Sequence, residues 1–465
     1  MVWQLYGKKY NLNDYLAFHP GGATILENTR DVSDVTALFE TYHAFSNKEY
    51  YKKKLEGYEI TDKDQDLVLV EKDKDKEQEN YDFTTYHLLT ERIRKIFPNR
   101  KSIKAPTVWY VLNGIMFFLY LSTFFPAMFC KNYPLLFRCI LSQFAGLAFI
   151  SLGFNVFHDG SHYAISTRPV VNDLLAKIWA SWGIWNAPIW FYHHVLYHHS
   201  HTGLSLEDPS NLSESSSQNR KRIPFAGKAT SFEDPSNLSG KRIPFDPDMY
   251  HLLPFARKTS STISPSSVTK TQKVPLLHNR TEWLPFVMIG FPGYYIGQAL
   301  SYLVSANYKN KIFRASLPVG RTYYDAVDIC LILVKIYCLY RGGVFTRMNY
   351  ILALNFWYFI NIALDHDTYE SNVENHYSGK DWLKMQVCHS GNFLNGNVVW
   401  TRVFGSINYQ IEHHLFPNMS SMHYPTIAPV VREFCREHGI PYVHHDTLVG
   451  AFRSYYKMIQ YRNRE

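Results

Sequence analysis

Long uncharged runs alternate with strongly polar ones along this 465-residue chain. Residues 107–129 carry no charged side chain, and residues 139–157 form a second uncharged run. As an α-helix, a run of this length crosses roughly 30 Å of hydrocarbon. Three further apolar stretches follow at 283–308, about 325–341 and about 346–365. The pattern predicts a mainly α-helical protein with several membrane spans.

The polar segments indicate where this chain is divided. Residues 61–80 have mixed charge and read as a solvated linker. Residues 204–282 are polar and contain a repeat, because EDPSNLS occurs at 207–213 and 233–239 and KRIPF follows each copy. Two copies are too few for a solenoid. We interpret 204–245 as a duplicated, disordered loop insertion without a chemical role, or as an error in the gene model.

Charge and cysteine content narrow the class of protein. The net charge of +8 does not indicate nucleic-acid binding, because the basic residues flank apolar segments. Arg100, Lys101 and Lys104 precede the first run, which suits a cytosolic, anionic membrane surface. The six cysteines have no metal or disulfide spacing, as expected in a reducing compartment. The first residues, MVWQLYGKKY, do not have a signal-peptide pattern.

Two histidines stand apart near the N-terminus. His19 lies in the turn-forming sequence HPGG, and His43 follows 24 residues later in DVTALFETYHAFS. A single histidine in a turn is usually structural, but this stretch resembles cytochrome b5. The resemblance implies that His19 and His43 are the axial ligands of haem b. A haem with two histidine ligands has no open coordination site and therefore carries electrons.

The other notable histidines form three boxes. The boxes are HDGSH with His158 and His162, HVLYHH with His194, His198 and His199, and QIEHH with Gln410, His413 and His414. An α-helix places the first pair on one face and His194 with His198 on another, with His199 about 100° around. Nitrogen-rich coordination suits iron, copper or zinc. Zinc needs only about four ligands, so eight or more histidines favour two metals, and oxygen chemistry favours iron.

The order of the boxes restricts the membrane topology. The third box lies beyond the later apolar stretches, so a single shared site needs an even number of crossings between the second and third boxes. Of the three candidate stretches, 283–308 is interrupted by Pro285, Gly290, Pro292 and Gly293. We expect this stretch to lie in the membrane interface rather than to cross.

The three boxes, in this order, resemble those of membrane fatty-acid desaturases, and the similarity runs from about residue 106 to the C-terminus. The sequence NYQIEHHLFP at 408–417 and the N-terminal cytochrome b5-like segment are similar to front-end desaturases. The resemblance implies a cis double bond added between an existing one and the carboxyl end of a polyunsaturated acyl chain. The HxxxHH form of the second box favours delta-5 over delta-6. Alternatives are a sphingolipid long-chain-base desaturase, a di-iron membrane hydroxylase or acetylenase, and a non-enzymatic haem or metal carrier.

The resemblance also implies the ligands of a non-haem di-iron centre. They are His158, His162, His194, His198, His199, His366, His413 and His414. Gln410 occupies a position where other desaturases have histidine, and its amide could bind metal, orient water or hydrogen-bond a ligand. The family's Asp-Pro-Asp after the second box is matched by Asp246-Pro247-Asp248, displaced by the insertion. His193 and His201 have no counterpart as ligands.

The implied reaction uses O2 and electrons that pass from NADH through cytochrome b5 reductase to the haem and then to the two irons. The implied partners are that reductase, an acyl lipid or acyl-CoA, and the membrane, without nucleic acid. The implied fold is a small α+β haem domain at 1–62, a charged segment at 63–105, and a desaturase domain at 106–465. That domain would be a four-helix transmembrane bundle with a cytosolic, histidine-rich cap. We expect a multi-pass protein of the endoplasmic reticulum with both termini cytosolic.

Overall fold

The structure is a computed structural model, and most of the chain outside the long insertion is described. It describes residues 2–30, 34–60, 81–185, 187–200, 202 and 325–464. The described part is mainly helical, as predicted. The linker at 61–80, the insertion at 204–245 and the stretch at 283–308 lie outside the described residues.

Residues 2–60 form a small α+β unit, which we call the haem unit. Strands Trp3–Leu5 and Lys8–Tyr10 pair antiparallel. Between them, Tyr6 and Gly7 have φ angles of 47° and 78°, which a two-residue hairpin turn needs to match the strand twist. The hairpin is followed by a 3-10 turn and three α-helices, at Asn13–Phe18, Ala23–Thr29, Thr36–Tyr42 and Lys48–Glu56.

Four long helices follow the predicted apolar runs. The first long helix spans Thr107–Phe129, and the second spans Leu135–Leu152. The third spans Ala326–Gly342, and the fourth spans Val344–His366. By length and composition, two helical stretches among the described residues could cross a membrane, Thr107–Phe129 and Leu135–Ser161. The third and fourth long helices carry charged side chains such as Lys335 and Arg347, which lower their hydropathy.

Two buried basic side chains between the long helices, Arg138 and Lys335, are hydrogen-bonded. Arg138, on the second long helix, donates to one backbone carbonyl of the first long helix and to one of the third. Lys335 donates to the hydroxyl oxygens of Tyr120 and Tyr350, at 2.7 and 2.9 Å. Large apolar side chains such as Phe118 instead point outward and are exposed. This is the arrangement expected of helices packed together in an apolar surrounding.

Two π-helical segments carry the first two histidine boxes. The second long helix continues as the π-helix Gly153–His158, and a second π-helix spans Phe191–His198. In the latter, the backbone N–H of His199 donates to the carbonyl of His194, five residues earlier. The expectation that His199 lies about 100° around the helix is therefore wrong, because it assumed α-helical geometry. His199 stands one π-helical turn beyond His194.

The remaining elements build a domain at one end of the long helices. This domain, the cap, comprises residues 81–105, 159–200 and 367–464. Its helices are Thr84–Arg94, Asp159–Ser161, Pro169–Trp182, Ala187–Trp190, Trp382–Cys388, Val398–Val403, Gln410–Leu415, Tyr424–Glu437 and Leu448–Arg464. A π-helical turn at Glu370–Glu374 and a 3-10 turn at Ser421–His423 join them. Strands Gly391–Phe393 and Val443–His445 pair in parallel.

The haem unit is packed against the cap. Arg94 donates to the carbonyl oxygens of Ala44 and Ser46 at 2.6–2.9 Å. His87 Nε2 lies 2.9 Å from a carboxylate oxygen of the buried Glu40. One apolar cluster also contains side chains from both units. The haem unit is thus held in a defined position on the cap.

Candidate metal centre and haem pocket

Seven of the predicted ligand histidines converge in two adjacent groups where the long helices meet the cap. The first histidine group is His158, His162, His194 and His413, and the second is His198, His366 and His414. Within each group, one ring nitrogen per residue lies within 4.8 Å of the others. All seven are buried except His366, which is half-buried. Residues up to 255 positions apart in sequence are thereby brought to one place.

The distances between ring nitrogens are those of ligands that face a common point. His158 Nε2 lies 2.9 Å from His194 Nε2 in the first group. In the second group, His366 Nε2 lies 3.2 Å from His198 Nε2 and 3.0 Å from His414 Nε2. Metal–imidazole bonds of about 2.0–2.1 Å at right angles put neighbouring nitrogens about 2.9 Å apart. Both groups therefore have the spacing of a metal site.

His199 lies between the two groups. Its Nε2 is 3.3 Å from His194 Nε2, and its ring centroid is 4.3 Å from that of His414. His194 and His198, expected to act on one face, fall in different groups. The second box thus contributes to both groups.

The outward nitrogens of four ligands have defined partners. His366 Nδ1 donates to the carbonyl oxygen of His389, and His414 Nδ1 donates to Gln386 Oε1 at 2.8 Å. For two other ligands the partner is a tyrosine hydroxyl. Tyr424 is the partner of His413 Nδ1, and Tyr42 is the partner of His162 Nδ1. A partner on one ring nitrogen fixes the tautomer and turns the other nitrogen to the metal.

Sequence reasoning missed these partners. Gln386 and Tyr424 lie outside the boxes, and Tyr42 belongs to the haem unit. Tyrosine is common in this chain, and neither Gln386 nor the two tyrosines have a characteristic spacing from the boxes. Tyr42 adjoins His43, but the sequence pattern around His43 indicated haem binding and gave no sign of a contact with the metal centre.

The residues fit a metal centre by two tests. The first is that His162 Nε2 and His413 Nε2 are buried and have no hydrogen-bond partner among the described residues. A buried polar atom without a partner costs about 1–3 kcal/mol, and a metal ligand bond would remove that cost. The second is that burial lowers the pKa of His162, His194, His199, His413 and His414. Neutral imidazole is the form that binds metal.

Gln410 lies beside the second histidine group. Its Nε2 is 2.7 Å from His366 Nε2, and its Oε1 is buried and has no hydrogen-bond partner among the described residues. The two atoms of a carboxamide are distinguished only by their hydrogen bonds. Turned by half a rotation, the amide would bring its oxygen toward the same point as the three imidazoles. The second histidine group thus has a neutral oxygen donor within reach.

An apolar cavity lies next to the first histidine group. It is narrow and reaches His158. Its other lining residues are Phe149, Ile150, Gly153, Phe154, Phe157, Trp179, Ala180, Gly183, Trp185, Trp190 and Tyr358. A cavity of this composition takes up an apolar chain rather than a charged ligand.

His19 and His43 face each other across a second cavity, in the haem unit. Their ring centroids are 6.4 Å apart. His19 Nδ1 donates to the carbonyl oxygen of Gly22 at 3.0 Å, and His43 Nδ1 to that of Phe39 at 2.9 Å. Both Nε2 atoms are thus the ones available to a metal between the rings. Burial lowers the pKa of His19, which keeps that ring neutral.

The cavity between these two histidines is apolar, and its wall is mainly aliphatic and aromatic. Members of this wall are Trp3, Leu5, Leu12, Tyr15, Ile25, Leu26, Val35, Leu38, Phe39, Tyr42, Tyr51, Leu55 and Tyr58. A planar apolar macrocycle bound through its central metal fits this cavity.

Three other sequence-based assignments lie outside the description. Nothing is described of the side chain of His193, and His201 and Asp246-Pro247-Asp248 are not among the described residues. The histidine groups above therefore stand without them.

Comparisons with known proteins match both parts of the chain. A model of the fatty acid desaturase family matches residues 133–446, and one of the cytochrome b5-like heme/steroid binding domain matches residues 2–64. The acyl-lipid (8-3)-desaturase of Mortierella alpina is 26% identical, over 97% of this chain and 91% of its own length. The Delta(5) fatty acid desaturase A of Dictyostelium discoideum is 25% identical, over 94% and 85%. The chloroplastic acyl-lipid (7-3)-desaturase of Chlamydomonas reinhardtii is 26% identical, over 97% and 79%.

Proposed function

The chain belongs to the fatty acid desaturase family, and from that premise we propose that it is a front-end acyl desaturase that receives electrons from its own haem unit. The family makes it an oxidoreductase that acts on fatty acyl chains. The finer proposal is a new cis double bond between an existing double bond and the carboxyl end of a polyunsaturated chain. The observation that supports a desaturase fed by its own haem unit is the pair of histidine groups, together with a haem-type pocket that is held against the same cap.

The two histidine groups and Gln410 are the proposed holders of two irons. With O2, irons bound there would supply the oxidising power that removes hydrogen from unactivated C–H bonds. The proposed ligands are His158, His162, His194, His198, His199, His366, His413 and His414. Burial lowers the pKa of five of these histidines, His162, His194, His199, His413 and His414, and so keeps their imidazoles neutral. Gln410 would tune or orient the second group through its amide.

The acyl chain has a proposed place in the apolar cavity beside His158. The aromatic wall excludes water and would hold one C–C unit at a fixed distance from the first histidine group. Regioselectivity would follow from the length of chain that this cavity accepts. One of the relatives above is named a Delta(5) desaturase, which supports delta-5 over delta-6.

A four-span topology with the cap in the cytosol is the proposed membrane arrangement. The start of the first long helix and the end of the second adjoin the cap, since Lys104 donates to the carbonyl oxygens of Tyr163 and Asn418. The fourth long helix ends at His366, within the second histidine group. Two crossings between the second and third boxes satisfy the even number that one shared site needs. We propose the endoplasmic reticulum as the location and NADH–cytochrome b5 reductase as the electron donor.

The proposal is tested by expressing the full chain in yeast fed a panel of polyunsaturated acids, with double-bond positions mapped by gas chromatography–mass spectrometry. We expect a new double bond on the carboxyl side of an existing one, and none with His413→Ala at equal expression. A product with the new bond on the methyl side would contradict the front-end assignment. Desaturated sphingoid bases would instead identify the long-chain-base enzyme, and hydroxylated acids the hydroxylase.

A further inference from the structure

One side chain contacts both candidate centres. Tyr42 is the last residue of helix Thr36–Tyr42 and immediately precedes the haem ligand candidate His43. Its ring lines the haem-unit cavity. Its hydroxyl oxygen lies 3.1 Å from Nδ1 of His162, a member of the first histidine group. Tyr42 and His162 are 120 residues apart in sequence, and their contact joins the two sites through a single phenol.

The direction of this hydrogen bond follows from the other ring nitrogen. His162 Nε2 is buried without a partner among the described residues and belongs to the converging set of the first histidine group. Nδ1 is therefore the protonated nitrogen, and it donates to the Tyr42 oxygen. Tyr42 orients His162 as Gln386 orients His414, but it alone of these partners also borders the haem cavity.

The position of Tyr42 does not depend on its hydroxyl. Asn418 donates to the Tyr42 backbone carbonyl oxygen at 2.8 Å. Just beyond it, Arg94 binds the carbonyl oxygen of Ala44, and the ring of Phe45 packs on that of Phe416 at 5.6 Å. These contacts hold the haem unit on the cap by themselves. The phenol hydroxyl is then left with a role other than docking.

We propose that Tyr42 is the bridge through which electrons pass from the haem to the iron held by the first histidine group, an inference that rests on the proposed function. In each transfer, haem held by His19 and His43 would go from ferrous to ferric, and one ferric iron held by the first histidine group would become ferrous. Tyr42 keeps its proton, and no atom moves. The path runs through the Tyr42 ring, the hydrogen bond to His162 and the His162 imidazole. Two transfers supply the two electrons that the desaturation needs.

The experiment follows the haem alone, without O2 or substrate. Full-length protein loaded with haem and ferric iron is photoreduced at the haem by an added flavin, and the decay of ferrous haem absorbance is recorded. We expect decay in the iron-loaded protein and none when redox-inert zinc replaces the iron. Absence of decay in the iron-loaded wild type would refute the electron route of the proposed function itself, whatever Tyr42 does.

The variant Tyr42→Phe removes only the hydroxyl. We expect the decay to be clearly slower than in the wild type, because the hydrogen-bonded contact between the two centres is lost, with the reduced haem spectrum and the loaded iron content unchanged. A wild-type rate in this variant, at full haem and iron, would overturn the bridge. If the variant loses haem, 3-fluorotyrosine at position 42 keeps the shape and weakens the acceptor. A rate unaffected by that substitution would equally overturn it.

Two matched variants separate the bridge from simpler effects. Tyr50→Phe removes an exposed hydroxyl of the haem unit that is not part of the cavity wall, and should transfer electrons at the wild-type rate. Tyr424→Phe removes the phenol partner of His413 Nδ1, which has no place in the haem cavity wall. Slowing by Tyr424→Phe as large as that by Tyr42→Phe would assign the effect to a loosened ligand and overturn the bridge.

Discussion

At the scale of single residues, the histidines divide their two ring nitrogens between two tasks. In His366 and His414 the Nδ1 atom donates outward. The Nε2 atoms of these two rings lie 3.0 Å apart, which is the spacing expected of two ligands of one metal. His19 and His43 repeat the division around the haem cavity. The boxes identified which histidines matter, but the outward partners come from distant segments and could not be read from the sequence.

Gln410 places an amide beside the imidazoles of the second histidine group. Gln410→Ala should lose most of the desaturase activity, because the amide beside His366 is removed. Gln410→His should keep iron yet abolish turnover, since the larger ring disturbs the geometry. Activity and iron content are measured at equal expression, with His193→Ala as the control that loses little. Full activity in Gln410→Ala would remove the reason for assigning this residue to the site.

The haem ligands give a second prediction at this scale. His19→Ala or His43→Ala should abolish the reduced b-type spectrum of the membrane fraction, because an iron with a single imidazole ligand no longer has the bis-histidine field. The protein should remain in the membrane, since the long helices are untouched. As a control, Tyr58→Phe should leave the spectrum intact. An unchanged spectrum in either histidine variant would refute the assignment.

At the scale of elements, the four long helices were predictable and the π-helices were not. Uncharged or weakly charged runs determine where long helices form, because an apolar surrounding favours the fully hydrogen-bonded helix. The π-helix at Phe191–His198 cannot be read from a 3.6-residue period. It brings His199 close to the direction of His194, which the α-helical prediction missed.

Close packing of the second and fourth long helices predicts a specific effect on stability. A Cβ atom at Gly146 would lie 2.4 Å from the Ala353 Cβ, so Gly146→Ala should destabilise the protein by about 1–3 kcal/mol through overpacking. A Cβ atom at Gly114, on the first long helix, would have no described atom within 4 Å outside its own helix backbone. Gly114→Ala should be neutral or stabilise by up to about 1 kcal/mol, since alanine favours the helix. Thermal unfolding of the purified protein in detergent compares the two, and equal midpoints would contradict the packing.

At the scale of the whole molecule, the sequence predicted two cofactor sites but not how they are related. The HPGG loop and the boxes located each site separately. The contact between Tyr42 and His162 depends on how the haem unit sits on the cap, and that placement is set by scattered pairs such as Arg94 with Ala44. Such pairs have no sequence pattern of their own.

The repeat gives a prediction about the intact chain. Deleting residues 204–240 should leave desaturation largely intact, because the segment is polar, duplicated and interrupts the family pattern. The yeast feeding assay measures this against the full chain at equal expression. Complete loss of activity in a stably expressed deletion would show that the segment is a functional lid. In the full chain, Asn211 and Asn237 should carry no N-glycan despite their N-L-S sequences, if the segment is cytosolic.

The most direct test of the account is the metal content of the purified full-length protein, because the two histidine groups are its foundation. We expect two non-haem irons and one haem per chain by elemental analysis combined with the pyridine haemochrome spectrum. His413→Ala should lose non-haem iron and retain the haem. Zinc or a single non-haem metal ion in the active protein would contradict the di-iron centre.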